Sequence, residues 1–471
     1  MKKPADLELT PEAMTKMAEE AARAVVDHIA ALPNAPRSNL NVSEDFLRGL
    51  REPPPEKGSD FSSLLHFFMN MIVPVSINTP HPAYIGYIPG GGLYPSAVAD
   101  FLSAATNRFT GAWFAAPAAA RLEANVLEWF AQWMRYPKSS RGILTSGGSL
   151  ANFSAVVTAR KHLLGDDLGR GTVYASDQTH HCVMKVAGLA GIPERNIRLL
   201  GVDENYRAIP QLFEEAIRAD LAKGFKPFLL VANAGTTNTG AIDPLVDLAS
   251  LAKGFGLWYH IDAAYGGFFN LCDEGRKKLA GIELSDSVVL DPHKGLFLPY
   301  GSGSLLVKDG ELLRRAHLVS ADYLKDLETP EGEVSAADYS PELSRSYRGL
   351  RVWLPLKLFG VQAFRENLAE KLDLARWLDQ RFREEPGFVC LAEPDLSVVP
   401  FRFRPRSGDI NEFNRRLLKN IVKSQRLFLS STLLKGQFVL RACILSFRTH
   451  QAEVEEAFEI ITSEAQKLAK G

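Results

Sequence analysis

Between residues 142 and 310 the chain alternates short apolar runs with longer stretches whose apolar positions recur every three or four residues. The runs at 142–145, 172–175, 197–201, 228–232, 257–261, 287–290 and 304–307 are too short for helices and rich in β-branched residues, so they predict strands. Helical stretches at 150–164 and 209–222 lie between two pairs of them. Unbroken apolar strands alternating with helices imply α/β units on a mostly parallel sheet covered on both faces.

The flanks read differently. Residues 11–32 place Met14, Met17, Ala21, Val25 and Ile29 on one helical face, with Thr10 as N-cap and Pro11 in the first turn. Pro53-Pro54-Pro55 then interrupts the chain, and 61–73 predicts a second helix. Such a pair has too little mass for its own core and must pack on something else, such as a second subunit. Residues 117–134 predict a helix with Glu123 and Glu128 on its polar side. The stretch 311–340 is charged, contains Gly and Pro, and reads as a mobile excursion. Beyond 346, further helices and a strand pair at 398–403 and 437–443 predict a small α+β domain. The expected division is an N-terminal helical segment (1–90), a large α/β domain (91–345) and a small C-terminal domain (346–471).

Composition narrows the function by exclusion. Among 471 residues, 46% are hydrophobic and 23% charged, with a formal net charge of -1. That profile belongs to a soluble globular protein and gives no basic patch for nucleic acid or anionic lipid. No apolar run approaches the ~18 residues that span a bilayer, and the N-terminus lacks the apolar core of a signal peptide. Cys182, Cys272, Cys390 and Cys443 are scattered without metal-ligand spacing, which suits free thiols in a reducing cytoplasm.

Chemistry collects where the strands end, the place at which open α/β sheets bind ligands. Ser146-Gly147-Gly148-Ser149 opens a helix after the first run, and a glycine-rich helix start is a seat for phosphate. Ser176-Asp177-Gln178-Thr179-His180 follows the second, with a histidine able to stack on a planar ring, bind a metal or cap a helix. Gly235-Thr236-Thr237 supplies hydroxyls. Asp262 follows Trp258-Tyr259-His260-Ile261, so a carboxylate is pressed against an apolar strand and needs a cationic partner. A protonated pyridine nitrogen would be one, and the small Ala263 and Ala264 leave room for a flat ring. Lys294 in Asp291-Pro292-His293-Lys294 stands just past the strand 287–290, on an apolar floor expected to lower its pKa and leave a usable amine. Phosphate seat, ring-stacking histidine, hydroxyl donor, pyridine-pairing aspartate and lysine describe a pyridoxal phosphate site, with no metal.

These motifs, together with His81-Pro82, Ala116-Pro117, Leu343-Ser344-Arg345 and Leu350-Arg351-Val352-Trp353-Leu354, resemble the group II amino-acid decarboxylases, the aromatic-L-amino-acid decarboxylase family. The resemblance implies fold-type I, pyridoxal 5'-phosphate as cofactor, and a cytoplasmic homodimer whose N-terminal segments embrace and whose active sites lie at the interface. It implies a carboxy-lyase that turns an amino acid into its amine and CO₂. Carried over by position, Lys294 bonds the cofactor and Asp262 pairs with its ring nitrogen. His180 stacks on the ring, Thr236 bonds its phenolic side, Gly148 and Ser149 hold the phosphate, and Ala264 and His293 lie close by. Relatives often have Asn at the position of Asp291, and a second negative charge near phosphate is unfavourable, so Asp291 is placed near the site without a phosphate contact. Tyr323 matches the loop tyrosine implicated in protonating Cα, and aldehyde-forming members tend to lack it. The candidate substrate pocket is Tyr84, Tyr87, Phe109, Trp113 and Arg345, which suits an aromatic substrate. A small or acidic amino acid, an aldehyde-forming reaction, transamination or a non-catalytic cofactor-binding dimer are the alternatives. Gly295, where many relatives have Trp, and Gly90-Gly91-Gly92 are expected to alter the pocket's volume.

Overall fold

The computed structural model describes residues 7–39, 42–318 and 329–470. Its central sheet has seven strands: β1 (Arg141–Thr145), β2 (Gly171–Ser176), β3 (Ile197–Leu200), β4 (Lys226–Asn233), β5 (Trp258–Asp262), β6 (Ser287–Leu290) and β7 (Gly303–Val307). They are ordered β1-β7-β6-β5-β4-β2-β3. The pairs from β6 through β3 are parallel, and β7 runs antiparallel to both β1 and β6. Each apolar run seen in the sequence is one of these strands, with its ends moved by no more than one or two residues. Phe228, Leu229, Leu230, Val231 and Ala232 of β4 are all fully buried. A strand covered on both faces has no polar side to alternate with, which is why it reads as one continuous run.

A second sheet follows the helical run Gly349–Glu384, which breaks at Gly360 where φ is +73°. It comprises β8 (Phe388–Cys390), β9 (Val398–Phe403), β10 (Ser430–Leu434) and β11 (Gln437–Cys443), all antiparallel in the order β10-β11-β9-β8. The sequence pattern found β9 and β11. It missed β8, which has three residues, and β10, which opens on Ser-Ser-Thr.

At the N-terminus, Thr10 caps the helix Pro11–Ala31 by accepting from the Ala13 N–H, and no residue of that helix is buried. The second expected helix is α-helical over Phe61–Phe67 and continues as a π-helical turn over Phe68–Ile72. The chain then joins the small sheet: the Ile85 N–H donates to Phe428 O (3.1 Å) and the Cys443 N–H donates to Ile85 O (2.8 Å). The stretch expected as an excursion from 311 begins instead inside the helix Gly310–His317. No helix among the described residues is long and apolar enough to cross a membrane.

One expectation from periodicity fails. Glu123 was placed on a polar helix face, but it is buried, 2.6 Å from the Arg345 guanidinium, and accepts the Gly349 N–H at 3.1 Å. The Arg345 side chain is 1% exposed, so the pair stands or falls together. Glu123→Ala strands a guanidinium away from water and is expected to cost about 3–5 kcal/mol. Denaturant unfolding measures it, and a loss below about 1 kcal/mol would contradict the pairing.

Candidate active site

The helix Gly148–Leu163 leaves β1 and crosses β7, β6, β5 and β4. Ala151, Ala155 and Ala159 are fully buried along it, and side chains this small let a helix lie close on a sheet. Its start is braced by Thr145, whose hydroxyl donates to Gly147 O (2.9 Å) and accepts the Gly147 N–H (3.3 Å). The first-turn N–H groups of Gly148 and Ser149 have no upstream helical carbonyl, so they are available to an anion. This start and the ends of β2, β4, β5 and β6 enclose a cavity of about 300 Å³. Gly148, Ser149, His180, Thr236, Asp262, Ala264, His293 and Lys294 all line it.

Asp262, the last residue of β5, is 8% exposed. Its oxygens accept from the Ala264 N–H (3.2 Å) and from Asn152 Nδ2 (3.2 Å), and among the described residues no cationic side chain is paired with it. Behind Asn152 runs a buried chain of hydrogen bonds. Burial pushes His260 down to about 4, so the ring is neutral. Asn152 turns its amide NH₂ to the carboxylate, so its Oδ1 must accept the proton on His260 Nε2 (2.8 Å). His260 Nδ1 then accepts from Ser287 (2.8 Å), which accepts from the Trp258 indole N–H (2.8 Å). Every donor in the chain points toward Asp262.

Asp291-Pro292-His293-Lys294 folds into a short helical turn over Pro292–Gly295 beyond β6. Lys294 Nζ lies 2.8 Å from Asp291 Oδ2. The apolar floor was expected to lower the lysine's pKa, and the structure reverses this. Burial does push it down, but Asp291, by charge and hydrogen bond, and then Asp262 outweigh burial and carry it above the usual lysine value. Burial lowers His180, whose Nδ1 accepts the Cys182 N–H at 3.3 Å. The Thr236 hydroxyl pairs with that of Thr239 (2.9 Å). The small sheet reaches this loop through the buried Arg441, which donates to the carbonyls of Thr237 (2.6 Å) and Asn238 (3.3 Å).

The candidate substrate-pocket residues, expected to act together with the facing subunit, do not line this cavity within one chain. Tyr84 is buried with its ring stacked on Phe428 at 5.1 Å, whereas Tyr87 and Phe109 are exposed and Trp113 is half-buried. Arg345 is held by Glu123. Tyr323 lies outside the described residues. At Gly295 and Gly90 neighbouring groups occupy the space that a side chain would need. A Cβ on Gly295 would come within 2.8 Å of Phe268 Cβ, so the Phe268 side chain stands against that position. A Cβ on Gly90 would run into the His293 carbonyl, and the carbonyls of Gly91 and Gly92 accept from Arg448. Sequence reasoning missed Asn152, Asn233 and Cys182, which also line the cavity. For Asn152 a signal existed: it follows Gly148 by four residues, hence stands one turn along the same helix face. The Cys182 thiol is pushed up to about 12 by burial, so it stays neutral.

Comparison with known proteins agrees with this geometry. The family model for the pyridoxal-dependent decarboxylase conserved domain matches residues 44–404. The chain is 35% identical to an aromatic-L-amino-acid decarboxylase of Bacillus atrophaeus, over 98% of each sequence. It is 31% identical to a phenylacetaldehyde synthase of Arabidopsis thaliana, covering 89% of this chain and 88% of that one. Among solved structures, the Oryza sativa TDC with PLP and tryptamine superposes with a TM-score of 0.93 at 27% identity, covering 99% of this chain and all of that one.

Proposed function

The chain belongs to the pyridoxal-dependent decarboxylase family and is a pyridoxal-phosphate-dependent amino-acid decarboxylase, and on that premise we propose that it converts an aromatic L-amino acid to its amine and CO₂ at the cavity holding Lys294. The observation that carries the assignment of the cavity is Asp262, a buried carboxylate with no cationic side chain paired to it among the described residues, in the same cavity as Lys294. A protonated pyridine nitrogen fits that need, the open N–H groups of Gly148 and Ser149 fit a phosphate, and Lys294 fits the carbonyl.

Bound there, the cofactor supplies an electron sink conjugated to the substrate's Cα. The protein's own groups keep that sink deep and direct the protons. Asp262, oriented by Asn152 with His260 behind it, would pair with the ring nitrogen and keep its proton in place. Lys294 must shed a proton before it acts as an amine, and Asp291 at 2.8 Å is the adjacent acceptor. Neutral His180 offers a flat face to the ring without competing for its charge. Tyr323, outside the described residues, is the candidate to deliver the proton to Cα after CO₂ departs.

The reading extends to a homodimer with shared sites. It is supported by the helix Pro11–Ala31, which buries no residue, and by Leu64, Phe67, Phe68 and Met71, all exposed. Tyr87 and Phe109 are exposed as well and are free to line a partner's pocket. We assign segment 1–90 to that contact, 91–345 to the cofactor unit and 346–471 to the small unit.

The substrate class is tested by comparing kcat/KM for L-tryptophan, L-tyrosine, L-phenylalanine and L-DOPA with that for L-glutamate and cysteine sulfinate. A preference of about 100-fold or more for the ring-bearing set is expected, and the reverse preference would overturn it. A phenylacetaldehyde synthase among the relatives makes aldehyde formation the second reading, and Tyr323 is what favours the amine. Tyr323→Phe is expected to divert product from amine toward aldehyde and peroxide. An unchanged amine yield in that variant would remove Tyr323 from the mechanism.

A further inference from the structure

The anion seat of this chain already faces an anion of its own. Asp291 is 2% exposed, with Oδ2 on Lys294 Nζ at 2.8 Å and Oδ1 without a hydrogen-bond partner among the described residues. Both oxygens abut the helix start: a Cβ on Gly148 would lie 3.0 and 3.1 Å from them. A phosphate held by the Gly148 and Ser149 N–H groups is therefore brought against a buried carboxylate. Lys294 is the full positive charge nearest that carboxylate, and the cofactor's carbonyl takes it, so repulsion rises as the counter-charge is lost. The other groups facing Asp291 do not replace it. His293 Nε2 is 3.7 Å away, on a ring that burial holds toward the neutral form and whose Nδ1 is turned to the Ser302 carbonyl. His180 lies beyond, likewise lowered by burial, Asp262 adds negative charge, and Ala264 contributes a carbonyl that accepts the Asp291 N–H.

We propose that Asp291 makes cofactor loading proton-coupled: its carboxylate holds the Lys294 ammonium in the cofactor-free protein, and when Lys294 bonds the cofactor's carbonyl, with loss of water, the proton it sheds stays at the Asp291–phosphate contact instead of leaving to solvent. This rests on the reading of the cavity as the pyridoxal phosphate site. A carboxylate at this position exchanges cofactor affinity at high pH for a seat that responds to pH.

The test is calorimetric titration of the cofactor-free protein with pyridoxal 5'-phosphate in two buffers of different ionisation enthalpy, which counts protons per cofactor bound. The original chain is expected to take up about one proton more than Asp291→Asn, and its affinity should fall about tenfold per pH unit relative to the variant above neutrality. The variant should bind the cofactor more tightly at pH 9. Asp291→Ser, also neutral, must behave like Asp291→Asn, which guards against a local folding defect in either. Pyridoxal, lacking the phosphate, should show no difference between the chains. Equal proton counts with parallel pH profiles would overturn the proposal, as would a difference that persists with pyridoxal. If the original chain bound no cofactor at any pH, the reading of the cavity itself would fall, and this proposal with it.

Discussion

Lys294→Ala is expected to leave a folded protein whose CO₂ release falls on the order of 10³-fold or more. Among the described residues Lys294 is the sole lysine lining the cavity, so no described neighbour can take over as the amine. The loss should appear in kcat and persist at saturating cofactor, because the missing group takes part in the reaction and does more than hold the ligand. A second effect belongs to the same substitution. Removing the ammonium leaves Asp291 buried without its partner, so Lys294→Ala should also unfold at lower temperature than the original chain. Adding Asp291→Asn should restore part of that stability and none of the turnover. Recovery of turnover in the double variant would contradict the role given to Lys294.

The next largest effect is expected from Asp262→Asn, a loss in kcat of about 10²–10³-fold. The amide matches the carboxylate in size and keeps one acceptor for the Ala264 N–H, yet it cannot hold a proton on a ring nitrogen by charge. Packing around it is otherwise unchanged, so stability should move little. Asn152→Ala acts one step back: it removes the Asn152 Nδ2 donor to Asp262 and cuts the chain from His260. It should cost less than Asp262→Asn, with the loss likewise in kcat. A kcat for Asp262→Asn within about threefold of the original would contradict the electrostatic role.

The fold was legible where one physical requirement dominates. Strands β4 and β6 read directly because both faces are buried, and the phosphate seat read directly because glycines at a helix start have few other uses. Legibility ended wherever two distant groups decide an outcome. Glu123 sits at a spacing that suits solvent, and only Arg345, 222 residues away, explains its burial. The pKa of Lys294 was judged from the apolar strand before it, although Asp291, three residues earlier on the same turn, carries the stronger influence. Gly295 was read only as altering the pocket's volume, because the sequence could not show that Phe268 stands against its Cα. Tyr84 was a sound aromatic candidate by type, but residue type carries no direction, and its ring faces Phe428. The eight cofactor-side residues came together because each lies at or just beyond the end of a strand of one sheet, and the sheet order converts that shared position into proximity.

The central claim is that this cavity binds pyridoxal phosphate and uses it to decarboxylate an aromatic amino acid. Its most direct test is the yield of CO₂, amine and 2-oxo acid from the purified, cofactor-loaded protein, offered each common L-amino acid together with L-DOPA and 5-hydroxytryptophan. Equimolar CO₂ and amine from ring-bearing substrates, with no 2-oxo acid and no release from Lys294→Ala, is the predicted result. Formation of 2-oxo acid without CO₂, or CO₂ release that survives Lys294→Ala, would contradict it.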